Sequence, residues 1–280
     1  MSTRRYAVVD VFAETPPAGN PLAVVVDGEG LSGEQMQRYA NWTNLSETTF
    51  LLPPTDPGAD YRVRIFTPDV ELPFAGHPTL GSCRAWLDAG NEPRTPGAVV
   101  QECGAGLIPL RVDGDRPAFR APPRTRTGPL DDATLTKVVG ELRIDRDQVV
   151  DSAWIDNGPG WLGLLLPDAE SVLAVEPGPI SEEIGLIGPY PAGHEAAYEI
   201  RAFFRKGGST AEDPVTGSLN ASAAQWMLET GRVTAPYVAT QGRALGREGR
   251  IEISGNEGSD GAEVWIGGAA AVVVRGTVEL

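Results

Sequence analysis

Apolar residues in this chain fall in short runs rich in β-branched side chains, each closed by Gly, Pro or Asp. That is the pattern of strands rather than of long helices. In the first half it predicts strands over YAVVDVF (6–12), LAVVVD (22–27), TTFLLP (48–53), YRVRIFTP (61–68), AVVQECG (98–104) and LIPLRVDG (107–114). Two helices interrupt them. The first opens at Ser32, with Gln35 as capping-box partner, and runs to about Asn44. The second starts after His77, with Pro78 in the first helical position and Gly90 as its stop.

Prolines and polar residues in APPRTRTGPLDD (121–132) break the pattern, and a helix follows from Asp131 or Asp132. The second half then predicts strands over VVDSAWI (149–155), WLGLLLP (161–167), EIRAFF (199–204), RIEIS (250–254), EVWIGG (263–268) and AAVVVRGTVEL (270–280). Its long helix is expected from Pro214 to about Thr230, ending at Gly231. Strand clusters with one long helix thus occur twice. HPTLGS (77–82) aligns with DPVTGS (213–218), each after an Arg-x-Phe strand and before a helix carrying Trp86 or Trp226. The reading is an α+β protein of two similar halves, each a curved sheet around a central helix.

Charge narrows the class of partner. The 280 residues carry a formal net charge of −15 with acids and bases interspersed, which argues against nucleic acid and anionic membranes. No apolar run reaches the ~20 residues of a membrane span. The opening MSTRRYAVVDVFAE reads as a first strand rather than a signal peptide, so a cytoplasmic protein is expected. Cys83 and Cys103 show neither metal nor redox spacing and are expected to be reduced, buried thiols. There is no P-loop, no GxGxxG after a strand and no HExxH, so no motif calls for a nucleotide, nicotinamide or zinc.

The candidate chemistry lies at the two helix starts. A helix N-terminus offers free amide groups and the positive end of the macrodipole, and it binds carboxylates well. Gly76, Gly217 and Ser218 are placed to donate to a substrate carboxylate, or the glycines simply permit tight turns. His77 stands where a cap is expected, and the dipole there disfavours a positive imidazole; it orients a substrate, or it is hydrogen-bonded into a turn. Asp213 takes the matching place in the second half, where a plain N-cap is the simpler role. Glu47, between the first helix and TTFLLP, is either a cleft acid/base or a solvated surface carboxylate. His194 reads as a surface loop residue.

Taken together, VDVFAETPPAGNPLAVV (9–25), NLSETTFLL (44–52), RIFTPDVELPFAGHPTLG (64–81), DNGPGWLGLL (156–165), AEDPVTGSLNASAA (211–224), GREGRIEI (246–253) and VVVRGTVEL (272–280) resemble the PhzF-like family of phenazine biosynthesis. The resemblance implies a fold similar to diaminopimelate epimerase: residues 1–122 plus 269–280 form one half, 123–268 the other, with the active site in the cleft between them. It also implies a cofactor-independent isomerase of a small, unsaturated, carboxylated, cyclic metabolite, working as a homodimer, and the high alanine, arginine and glycine usage adds the expectation of specialised metabolism. Glu47 is then the general acid/base, His77 and Asp213 complete the polar site, and Gly76, Gly217 and Ser218 contact the substrate. Racemases of this fold place one thiol near each central helix start. Cys83 and Cys103 do not match that arrangement. Two alternatives stay open: an epimerase or tautomerase of an amino-acid-derived substrate, and a non-catalytic small-molecule binding protein.

Overall fold

The apolar runs pair into sheets in a computed structural model that describes residues 2–258 and 261–280. The chain is mixed α+β and divides into two compact units, Met1–Arg120 with Gly267–Leu280, and Ala121–Ile266. Elements are numbered in chain order.

The first unit contains β1 (Thr3–Val11), β2 (Asn20–Val25), α1 (Gly33–Thr43), β3 (Thr48–Leu52), β4 (Tyr61–Phe66), β5 (Glu71–Leu72), α2 (Gly76–Asp88), β6 (Ala98–Cys103), β7 (Gly106–Asp113) and β8 (Arg116–Arg120), and the last strand, β18 (Ala270–Glu279). β18 pairs with β1, and the order continues through β2, β3, β4, β6, β7 and β8. Among the described residues of this unit only β2–β3 and β4–β6 are parallel, and each of these pairs is bridged by a helix, α1 or α2. α1 lies on one face, where Met36, Tyr39 and Ala40 pack with Val25, Phe50 and Phe66. α2 packs against β1, β2, β3, β6, β8 and β18, so the sheet wraps around it. Its sequence GHPTLGSCRAW is built from small residues, which let strands approach from many directions, and ten of its 13 residues are buried.

The second unit repeats this plan. It contains β9 (Arg126–Pro129), α3 (Asp132–Leu142), β10 (Asp151–Asp156), β11 (Trp161–Leu165), α4 (Ala169–Leu173), β12 (Glu183–Pro189), β13 (Tyr198–Lys206), β14 (Ser209–Asp213), α5 (Gly217–Glu229), β15 (Tyr237–Gln241), β16 (Gly249–Gly258) and β17 (Gly261–Gly267). β9 pairs with β10 as β18 does with β1, and the parallel pairs are now β11–β12 and β13–β15. α3 and α4 cover one face through Leu135, Val138, Leu142 and Val172. α5 lies against the other, where Gly163 and Gly185 stand opposite each other in the β11–β12 register. A Cβ at Gly185 would fall 2.4 Å from Leu219 Cδ1, and one at Gly163 would fall 2.8 Å from Ile155 and 3.1 Å from Trp226. This glycine pair lets α5 seat on its strands.

Three expectations need correction. The second helix begins at Gly76, not after His77, and its N-cap is Ala75. The long helix of the second unit begins at Gly217, because Pro214 still belongs to the turn that leaves β14. Consequently the HPTLGS/DPVTGS match is not the structural repeat. Aligning the helix starts pairs Gly76 with Gly217 and His77 with Ser218, while Asp213 ends a strand before the helix. The strands β12, β14 and β15 escape the hydrophobic pattern because Gly, Pro or polar residues interrupt them. Among the described residues no helix is long and apolar enough to cross a membrane.

Crowding the glycine pair tests this packing. Gly185→Ala should lower unfolding free energy by about 1–3 kcal/mol, since buried Leu219 has no room to retreat. Urea unfolding measures it, and an unchanged midpoint would show that α5 is loosely seated.

Candidate functional site

Helix starts in this chain are of two kinds. α1, α3 and α4 are capped by the side chains of Ser32, Asp131 and Asp168, each accepting an amide of the first turn. α2 and α5 have no side-chain cap, with Ala75 and Thr216 at the N-cap. The first-turn amides of a helix find no acceptor inside it, so Gly76 and His77 in one unit, and Gly217 and Ser218 in the other, present donors. Both starts carry the positive end of a buried helix.

In the first unit the start of α2 meets Glu47. β3 begins one residue after Glu47, and its parallel pairing with β2 sets Ala23 opposite Thr48. The approach is pinned by hydroxyl bonds. The Ser46 hydroxyl donates to Asn20 Oδ1 at 3.3 Å, and that of Ser82, inside α2, donates to Thr49 at 2.9 Å. Asn20 is held by the loop before it, whose Ala18 and Gly19 amides donate to the buried Asp10 carboxylate at 3.0 Å. Glu47 Oε2 thereby lies 3.1 Å from His77 Nδ1. The imidazole is 3% exposed and the Glu47 side chain 18%, so neither the surface carboxylate nor a turn histidine without a charged partner describes them. His77 Nε2 is buried and has no hydrogen-bond partner.

In the second unit Asp213 is no N-cap. It ends β14, and its Oδ2 accepts a hydrogen bond from the Thr216 hydroxyl at 2.6 Å. Ser218 sits in the first turn of α5, where its Oγ accepts the Trp161 indole N–H at 3.0 Å. The Asn157 side-chain amide donates to the Ser218 carbonyl at 2.9 Å. Because Oγ already accepts from the indole, the Ser218 hydroxyl proton is directed elsewhere. Asn157 comes from the β10–β11 loop, and Trp161 is the first residue of β11. The Gly158 and Gly160 amides fold that loop onto Asp156 at 2.7 and 2.6 Å, as Asp10 folds the β1–β2 loop. Gly217 is buried as the first residue of α5.

The structure therefore brings Glu47 and His77 together, with Gly76 beside His77, and sets Asp213, Gly217 and Ser218 around one turn. Residue patterns alone missed Asp10, Asn20, Asn157, Trp161 and Thr216 as the supports of these groups. Asp10 had a legible signal: a lone carboxylate inside the apolar run AVVDVF.

A model of the phenazine biosynthesis-like protein family matches residues 9–276. The chain belongs to this family. "Antisense-enhancing sequence 1" of Schizosaccharomyces pombe is 34% identical to it, with 99% of each chain covered. A trans-2,3-dihydro-3-hydroxyanthranilate isomerase of Pseudomonas fluorescens is 32% identical over 90% of this chain and 95% of its own. The fold is that of a Bacillus anthracis phenazine biosynthesis protein of the PhzF family, at a TM-score of 0.84 and 22% identity with 100% of both chains covered.

Within this family member both cysteines are free thiols. Cys83 is buried inside α2, where burial pushes its thiol up to about 12, far from the thiolate that a two-base racemase needs. Cys103 is only half-buried, which corrects the expectation of two buried thiols. Iodoacetamide at pH 8 should leave Cys83 unmodified in the folded protein and label it after unfolding. Mass mapping reads this, and native labelling would contradict the burial.

Each unit also carries an Arg–Glu pair that joins its Arg-x-Phe strand to the next strand, at matching places but in different surroundings. Arg201 and Glu212 are 7% and 9% exposed and 2.8 Å apart, and Arg201 also donates to the carbonyls of Val172 and Val175. Arg64 and Glu71 are 31% and 42% exposed. Arg201→Met should cost about 3–5 kcal/mol, because it strands a buried carboxylate one residue from Asp213. Arg64→Met should cost about 0–1 kcal/mol. Equal losses in denaturant unfolding would contradict this contrast.

Proposed function

We propose that this chain is an isomerase that moves a proton within a small, unsaturated, carboxylated metabolite, using Glu47 as general acid and base. The observation that carries the reading is the Glu47–His77 pair, 3.1 Å apart at the uncapped start of a buried helix. A relative covering nearly the same length is named for such a reaction, on trans-2,3-dihydro-3-hydroxyanthranilate, and we take a ring substrate of that class as the one processed here.

The chemistry follows from what each group can do. A carboxylate takes a proton from an sp3 carbon, the electron pair left behind spreads into the adjacent conjugated system, and the carboxylic acid formed returns its proton to another carbon on the same face. No atoms are gained or lost, and no external acid or oxidant is needed. His77, donating through Nδ1 to Oε2, fixes the Glu47 carboxylate so that Oε1 faces the carbon. The amides of Gly76, Gly217 and Ser218, with the Ser218 hydroxyl, hold the substrate carboxylate and offset charge that develops in the ring. Asp213 accepts from a polar substituent such as an amine or hydroxyl. In an acidic protein these local donors provide the attraction that the overall charge opposes. The same reading carries a homodimer, as the resemblance implies, acting in the cytoplasm in the biosynthesis of a specialised metabolite.

Glu47→Gln keeps the shape and the contact with His77 while removing the base. Turnover of trans-2,3-dihydro-3-hydroxyanthranilate, followed by the change in its ultraviolet spectrum, should fall by about 10²–10⁴-fold. Activity within a few-fold of the unsubstituted enzyme would sink the role given to Glu47. Inversion at a stereocentre without movement of a double bond would point instead to an epimerase.

A further inference from the structure

Two buried glutamines, Gln101 and Gln241, occupy equivalent places in the two units. Each lies on the strand that follows the central helix, β6 or β15, and that strand pairs in parallel with the Arg-x-Phe strand. Each glutamine reaches the fourth residue of its helix. Gln101 Nε2 donates to Thr79 Oγ1 at 3.0 Å, and Thr79 Oγ1 donates to the N-cap carbonyl of Ala75. Gln241 Oε1 accepts from Asn220 Nδ2 at 2.8 Å, and Asn220 Nδ2 donates to the N-cap carbonyl of Thr216. Up to this point the two copies do the same work. They tie the open end of a buried helix to the sheet.

Gln241 does more. Its Oε1 also accepts the Thr216 amide at 3.0 Å, and its Nε2 donates to the Asp213 carbonyl and to Thr216 Oγ1, both at 3.0 Å. One fully buried side chain thus grips both ends of the Asp213–Thr216 turn. The polarity of the chain of bonds is the essential point. A hydroxyl that accepts from an amide N–H turns its own proton away from that donor. Thr216 therefore directs its proton to Asp213 Oδ2, 2.6 Å away. In the first unit the corresponding chain, from Tyr61 through Gln101 and Thr79, ends on a main-chain carbonyl and touches neither Glu47 nor His77.

We infer that Gln241 is a positioning residue for Asp213, acting through the Thr216 hydroxyl to fix which carboxylate oxygen faces the substrate. The inference rests on the function proposed above. Its content is that Gln241 and Thr216 act as one unit, with Thr216 between Gln241 and Asp213.

A double-mutant cycle tests it, with trans-2,3-dihydro-3-hydroxyanthranilate as the probe. Gln241→Met should lower kcat by about 10- to 100-fold, the scale of a misplaced reacting group, with KM changed less than kcat. In a Thr216→Val background, which already lacks the hydroxyl, the same substitution should change kcat by no more than about 2-fold, the mark of two groups acting as one. Thr216→Ser, which restores the hydroxyl, should restore the full effect. Should Gln241→Met not fold, Gln241→Glu keeps the acceptor for Thr216 and Asn220 and removes only the two donations. Additive losses in the cycle, or wild-type kcat in both Gln241 variants, would overturn the inference.

A readout without turnover separates this inference from the function itself. The carboxyl 13C resonance of Asp213 at fixed pH should move on Gln241→Met, and most of that movement should vanish when Thr216 is already Val. If the unsubstituted enzyme does not turn over the probe, the proposed function fails while the resonance cycle still decides the positioning. If Asp213→Asn is inactive and the resonance cycle is additive, Gln241 merely supports the turn and the inference fails alone.

Discussion

A helix that is buried along its length must still find partners for the free amides of its first turn. α2 and α5 meet this constraint in an unusual way. Their N-caps are Ala75 and Thr216, neither of which caps with its side chain, although the chain supplies Ser or Asp caps to α1, α3 and α4. Each open start is instead braced from outside. Thr79 with Gln101, and Asn220 with Gln241, secure the N-cap carbonyl, and Asp10 and Asp156 fold the neighbouring loops into place. The leading amides of each helix have no side-chain cap, and the candidate functional groups gather around these.

Duplication explains the scaffold, and divergence explains the chemistry. The two units share strand order, the positions of their parallel pairs, the loop-clamping aspartate, the Arg–Glu pair and the buried glutamine. They differ where chemistry is expected. His77 and Ser218 stand at the same place in the first turn, one an imidazole beside a carboxylate, the other a hydroxyl beside an indole. Glu47 and Asp213 approach from different elements, a loop before β3 and the end of β14. One framework thus holds an imidazole–carboxylate contact in one copy and a hydroxyl–carboxylate turn in the other.

Much of this was legible in the sequence. β-branched runs gave most strands, Ser32 with Gln35 gave α1 and its capping box, and the repeated helix starts gave the α+β plan. The register of the repeat was not legible. HPTLGS and DPVTGS share letters for different reasons: Gly81 and Ser82 lie inside α2, whereas Gly217 and Ser218 open α5. Identity at matched offsets therefore paired His77 with Asp213, and only the helix geometry corrects it. Supporting residues hid because each is one polar side chain in an apolar or turn-like segment. Gln241, in YVATQG, could not be read at all, since β15 itself lacked the pattern of a strand. The family resemblance supplied the roles proposed for Glu47, His77 and Asp213. The physical reason for their placement comes from the bracing described above.

The central claim is that the uncapped helix starts receive the carboxylate of the substrate. Backbone amide NMR during titration with 3-hydroxyanthranilate, a stable ring carboxylate of the proposed class, tests it most directly. The account predicts that the largest shifts fall on the amides of Gly76, His77, Gly217 and Ser218, and that the first turns of α1, α3 and α4 stay still. Saturable binding with those four amides unmoved would contradict it.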